Sequence, residues 1–175
     1  MKQIDFENGT ITQNIFMAAI PMLVAQVLSL LYNIVDRIYI ARIPGVGTTA
    51  LGAVGLCFPV IMIITAFSNL FGSGGAPLFS IERGRGNLEN AGRILNTSFS
   101  MLALASIVLT LAGLIFARPI LTLFGASADA LTYAYPYLMI YLLGTFPSMI
   151  STGMNPFINA QGYATTGMLS VAIGA

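Results

Sequence analysis

The chain has 175 residues, of which 57% are hydrophobic and 7% are charged, and its mean hydropathy is +0.86. Because an ordinary soluble domain carries about 25% charged residues, this composition excludes a soluble globular domain and indicates an integral membrane protein. The formal net charge is +1 and no long basic run occurs, which excludes nucleic acid as a partner.

Histidine is absent, and the one cysteine is Cys57. Metal sites built from thiol and imidazole groups, Cys–His or Ser–His catalytic pairs and an intrachain disulfide are therefore excluded. The acids and bases do not form a nucleophile–base pair at helical spacing either, so we expect neither an enzyme nor a cofactor. Cys57 is expected to be a small core residue.

Residues 1–14 form a short polar segment of mixed charge, and no small-residue cleavage site follows a short apolar region. This pattern is not typical of a removable signal peptide, so we expect a cytoplasmic N-terminal segment and a retained first span. The positive-inside rule favours the same orientation, because it places the loop with Arg83, Arg85 and Arg93 in the cytoplasm.

The gaps between charged residues predict the membrane helices. Each gap holds at least the ~20 apolar residues that one helical crossing needs. We expect an all-α fold, a polytopic bundle of transmembrane helices in a multi-pass cell-membrane protein. Four complete helices and the start of a fifth are predicted at residues 15–41, 49–81, 91–117, 130–159 and 164–175, so that residues 15–175 form one transmembrane domain.

Two of these spans are too long for a straight crossing. The span 49–81 would measure about 50 Å as a single helix, against a hydrocarbon core of about 30 Å. Prolines remove a backbone hydrogen bond and crowd the preceding turn. We therefore expect the second span to tilt and bend, and the fourth span to kink, at the following prolines: Pro59 and Pro77 in the second, and Pro136, Pro147 and Pro156 in the fourth.

One face of the first span is polar. Gln26, Ser29, Asn33 and Asp36 fall within an arc of about 80° on a helical wheel, and Arg37 lies close to its edge. A single polar residue in a membrane helix more often bonds to a neighbouring helix. A stripe that ends in a carboxylate predicts a cavity, with Asp36 as the residue that changes charge on binding a proton, Na⁺ or a cationic substrate.

The fourth span carries a second polar lane. Its polar and aromatic residues project within about 120° of one another, and tyrosine rings offer apolar surface, a cation–π face and a hydroxyl. The candidate cavity residues of this lane are Tyr137, Tyr141, Ser148, Thr152 and Asn155, with Tyr133 equally well explained as an interfacial residue. On the second span, Asn69, together with Thr65 and Ser68, either lines the cavity or holds helices together.

A polar cavity between long helices that contains one acid is typical of a secondary transporter. No GxxxxGK[ST] motif occurs, so ATP is not the evident energy source and an ion gradient is expected to drive transport.

The residues also carry a family resemblance. The motifs are Ile20-Pro21, Tyr32-Asn33-Ile34-Val35-Asp36-Arg37-Ile38-Tyr39-Ile40, Ile43-Pro44-Gly45-Val46-Gly47, Gly74-Gly75-Ala76-Pro77-Leu78-Phe79-Ser80, Gly84-Arg85-Gly86, Leu123-Phe124-Gly125-Ala126 and Asn155-Pro156-Phe157-Ile158-Asn159-Ala160-Gln161-Gly162. Together they resemble the N-terminal portion of the multidrug and toxic compound extrusion (MATE) family.

The resemblance implies an antiporter of two six-helix lobes that exports drugs or organic cations, bulky and amphipathic compounds, in exchange for Na⁺ or H⁺. Asp36 matches the acid that couples the ion, including a possible Na⁺ site, and Asn155 lies near the family's cavity asparagine on the fourth helix. Tyr141 is a looser match. Many relatives place an arginine near the position of Asn159, so that residue's role does not carry over.

Family members have about twelve helices, so we expect this chain to be a truncated sequence, a partial N-lobe whose partner would be the absent C-terminal lobe. Two alternatives stay open. A superfamily relative that flips lipid-linked oligosaccharides should have a markedly basic cavity, whereas Arg37 is the only basic residue at depth here. A membrane fragment that does not transport is the other alternative.

Overall fold

The computed structural model describes residues 10–174. These residues form six α-helices, and no strand occurs among them: α1 (Ile11–Ala41), α2 (Gly47–Gly84), α3 (Leu88–Leu123), α4 (Ala128–Leu143), α5 (Thr145–Ala160) and α6 (Ala164–Gly174). The three helices α1, α2 and α3 are long and apolar enough to cross a membrane. The prediction of an all-α bundle of membrane helices is confirmed.

The helices extend beyond the predicted spans. The helix α1 begins at Ile11, so the last residues of the expected N-terminal segment are already helical, while residues 1–9 lie outside the described part of the chain. Likewise, α2 continues through Glu82 and Arg83 to Gly84. Charged residues mark where a helix leaves the lipid, and they do not by themselves end it, since they are good helix formers.

The expected single fourth span is divided into α4 and α5 at Gly144. Pro147 lies three residues downstream and has no N–H to donate to the carbonyl of Leu143, which is the last residue of α4. The other prolines behave differently, because Pro59, Pro77, Pro136 and Pro156 all lie inside helices that continue through them.

The core lies between α2, α3, α4 and α5. One cluster of buried side chains joins these four helices, and its members include Cys57, Leu102, Leu138 and Met149. Cys57 is fully buried, and its thiol lies 3.5 Å from the carbonyl oxygens of Ala53 and Ala134. The expectation that Cys57 is a small core residue is met.

Glycines allow a close contact between α2 and α5. A Cβ added at Gly72 of α2 would lie 2.9 Å from the Cα of Gly153 on α5, which is closer than two carbon atoms can pack. Small residues let membrane helices approach through their backbones in this way. The two helices are therefore held in register at this point.

The helix α1 lies at the edge of the bundle. It packs on α6 and α2, and none of its residues is buried. Its side chains are consequently available to line surfaces outside the core.

Candidate functional site

A cleft of about 400 Å³ opens between α1 and α2. Its polar lining comes from one helix, because Gln26, Ser29, Asn33 and Arg37 all project into it from α1. These residues follow one another at steps of three or four, which keeps them on one face of the helix over about 16 Å of its length. Three of the predicted cavity residues thus line one cleft.

The apolar part of the lining comes from both helices. Leu30 and Ile34 of α1 and Phe58 of α2 complete the cleft. The guanidinium of Arg37 lies 5.9 Å from the centre of the Phe58 ring, within the range of a cation–π interaction. The cleft therefore combines neutral polar groups, one cation and one aromatic ring.

Asp36 does not line this cleft. Its side chain is half-buried, and on a helix it is rotated by about 100° from its neighbour Arg37. Asp36 is therefore the one member of the predicted polar face of α1 that lies outside this cleft.

The predicted cavity residues of the other helices lie elsewhere. Tyr137 and Tyr141 are half-buried against the core cluster, whereas Asn69, Ser148 and Thr152 are exposed. The cleft between α1 and α2 includes none of these side chains. The sequence pattern identified polar faces on three helices, and the structure brings only the face of α1 into this cleft.

Asn155 joins α5 to α6. Its side-chain amide donates to the carbonyl oxygen of Gly167 and to the hydroxyl of Ser170, both at 3.1 Å. The side-chain Oδ1 atom of Asn155 accepts a hydrogen bond of 3.0 Å from the side-chain amide of Asn159. The Oδ1 atom of Asn159 is buried and has no hydrogen-bond partner among the described residues. Asn155 therefore links two helices, in addition to any contact with a ligand.

Arg37 and Phe58 were not among the predicted cavity residues. Arg37 could have been found, because it lies at the edge of the polar arc of α1. Phe58 could not, because one aromatic residue on an apolar helix gives no signal until the position of the neighbouring helix is known.

The family model MatE matches residues 21–175. This chain belongs to the MatE family. The match covers nearly the whole described chain, and it confirms the resemblance seen in the motifs of α1, α2 and the end of α5. The chain is accordingly a multi-pass membrane protein of a transporter family.

Two curated relatives illustrate the range of the family. The chain is 24% identical over 166 residues to the multidrug export protein MepA of Staphylococcus haemolyticus, covering 95% of this chain and 36% of the relative. It is 26% identical over 149 residues to an FAD transporter of Shewanella oneidensis, covering 85% of this chain and 31% of the relative. The chain thus spans about a third of the length of these relatives.

The fold agrees with this assignment. A solved structure of a multidrug resistance MATE family transporter of the MOP superfamily, in an outward-facing conformation, superposes with a TM-score of 0.89 at 25% identity. The superposition covers 99% of this chain and 38% of that structure. The structural comparison and the sequence comparison therefore agree: in each, the MatE chain matches a little over a third of a known transporter.

Proposed function

We propose that the complete protein containing this chain is a secondary antiporter that exports amphipathic organic compounds, drugs and organic cations among them. The observation that carries the proposal is the cleft of about 400 Å³ on α1, lined by Gln26, Ser29 and Asn33, with a half-buried carboxylate on the same helix. Membership of the MatE family and the two relatives, a multidrug export protein and an FAD transporter, support transport of small organic molecules.

Asp36 is the proposed coupling residue, for either Na⁺ or H⁺. Within residues 10–174 no basic side chain lies within 4 Å of its carboxylate, so no ion pair competes with the coupling ion. No group of three or more acidic, histidine or cysteine side chains occurs in the same residues. An ionisable residue in a membrane helix is costly and marks an ion or proton path.

The test is transport by the complete protein in liposomes. Ethidium movement is followed after a Na⁺ gradient or a pH gradient is imposed, and we expect one of the two to drive it. Asp36→Asn should abolish gradient-driven transport, because an amide neither titrates nor carries charge. Asp129→Asn is the matched control, since Asp129 is an exposed acid in the first turn of α4. Transport that persists in Asp36→Asn would contradict the proposal.

A further inference from the structure

We propose that the cleft prefers, among its organic substrates, those that carry an oxyanion, a carboxylate or phosphate group, which is held by Arg37. This inference rests on the proposed function and narrows it, because it gives the chemical class of substrate that the cleft between α1 and α2 selects. Cationic or neutral portions of the same substrates are compatible with it.

Arg37 has no acidic partner in the described structure. The ion pairs among residues 10–174 are Arg85 with Glu82 and Arg93 with Glu89, all in and beside the loop between α2 and α3. The Arg37 side chain is exposed, and it lines the cleft. A guanidinium offers a planar set of donors that matches the two oxygens of a carboxylate or phosphate.

The neighbouring acid forms no ion pair with Arg37 within 4 Å in the described residues. Asp36 lies about 100° around the helix from Arg37, and it is absent from the cleft lining. The remaining polar lining is neutral, from Gln26, Ser29 and Asn33. The one formal charge in the cleft is therefore positive, and charge complementarity favours an anionic group in the ligand.

Phe58 defines what lies next to the oxyanion. Its ring is 45% exposed, and the guanidinium of Arg37 lies over it at 5.9 Å. The stacked arrangement limits the positions that the guanidinium can adopt and leaves aromatic and aliphatic surface beside it, from Phe58, Leu30 and Ile34. An aromatic carboxylate satisfies both parts of this surface.

The test compares two dyes that differ in one group. Rhodamine B carries a free carboxylate, and its ethyl ester has the same aromatic cation without the carboxylate. Equilibrium binding to the purified complete protein in detergent is measured by fluorescence anisotropy, without any ion gradient. We expect rhodamine B to bind at least about tenfold more tightly than the ester, the size of one charge-assisted hydrogen bond.

Variants of Arg37 assign the preference to this side chain. Arg37→Gln should abolish the preference by lowering the affinity for rhodamine B towards that for the ester, and a thermal unfolding midpoint near that of the wild type shows that the variant is folded. Arg37→Lys should retain part of the preference, because lysine keeps the positive charge but lacks the planar set of donors of the guanidinium. The matched control is Arg118→Gln, since Arg118 is also exposed and stacked on an aromatic ring, at 5.6 Å from Tyr135, but lies outside the cleft.

Two further measurements separate the alternatives. Asp36→Asn should keep the dye preference even if it abolishes gradient-driven transport, so failure of the coupling proposal and failure of this inference give different results.

The binding is repeated in nanodiscs of phosphatidylcholine and of phosphatidylglycerol, and the preference should persist in both. Loss of the preference in either lipid would mean that a lipid phosphate occupies Arg37 and would overturn the inference, as would equal binding of the two dyes in detergent.

Discussion

Asp36 and Arg37 are adjacent in sequence but lie on different faces of α1. Arg37 lines the cleft beside Phe58, whereas Asp36 is absent from the cleft lining. They do not form an ion pair within 4 Å in the described structure. Their roles should therefore be separable by mutation.

The first prediction tests that separation. Asp36→Asn should abolish gradient-driven efflux by the complete protein with membrane abundance near wild type, and Asp36→Glu should retain part of the efflux. If Asp36 instead stabilised the helix end by pairing with Arg37, removing one partner would leave an uncompensated charge and lower abundance. Under that alternative, the double variant Asp36→Asn with Arg37→Gln should recover both abundance and transport. We expect no such recovery, measured as efflux rate and as protein in the membrane fraction.

The polar face of α1 was predictable at this scale, because helical periodicity alone places Gln26, Ser29 and Asn33 together. The edge of that face which meets the cleft was not predictable. It depends on where α2 packs, and the pattern within α1 contains no information about a neighbouring helix. For the same reason, periodicity grouped Asp36 with the cleft residues, whereas its side chain lies outside the lining.

At the scale of the helices, close backbone contact holds α2 against α5. An alanine Cβ at position 72 would meet the backbone of Gly153, which cannot rotate away as a side chain can. At Gly74, two residues further along the same helix, an added Cβ meets nothing within 4 Å. The two glycines therefore form a matched pair for a test of packing.

The second prediction uses this pair. Gly72→Ala should lower the free energy of unfolding by about 1–3 kcal/mol, the usual cost of overpacking. Gly74→Ala should leave stability unchanged or raise it, since alanine favours helix more than glycine does. The measurement is the thermal unfolding midpoint of the complete protein in detergent. Equal midpoints for the two variants would show that α2 and α5 do not touch at Gly72.

The third prediction concerns the link between α5 and α6. Asn155→Ala removes the hydrogen bonds to Gly167 and Ser170 and leaves the amide of Asn159 without its acceptor. Removing partners from polar groups inside a protein costs about 1–3 kcal/mol, so the unfolding midpoint should fall. Thr152→Ala, at an exposed position of the same helix, should change stability by less than about 0.5 kcal/mol. A variant at 155 with normal stability but altered substrate affinity would instead indicate a purely ligand-binding role.

Helix ends were predictable to within about six residues where a charged residue followed an apolar run, and the largest difference is in α3, which continues past Arg118 to Leu123. The division at Gly144 was harder to predict, although the sequence shows Pro136, Pro147 and Pro156 equally clearly. Only the region before Pro147 interrupts the helix. A proline shows that one backbone hydrogen bond is lost, but the neighbouring helices decide whether the chain then bends or continues.

At the scale of the whole molecule, the core and the candidate site are in different places. The core is shared by α2, α3, α4 and α5, whereas the cleft and Asp36 depend on α1, a helix without a buried residue. Gln26 and Asn33 are exposed on it. The chain also spans about a third of its curated relatives. The candidate site therefore lies on the surface of residues 10–174 and not in their core.

The last prediction follows from that exposed surface. In a bilayer, the polar face of α1 in residues 1–175 alone would meet lipid, and one acid or base at the centre of a membrane helix already costs about 2.5–3.5 kcal/mol. We expect this fragment to insert poorly, to associate or to be degraded, and to give no gradient-driven efflux. Abundance is measured in membrane fractions by immunoblot, with the complete protein expressed from the same promoter as the control.

Adding the Gln26→Leu and Asn33→Leu changes should raise the fragment's abundance, because they remove exposed polar groups, but should not create efflux. Robust ethidium efflux by the purified fragment in liposomes would show that residues 1–175 form a working transporter without further cover.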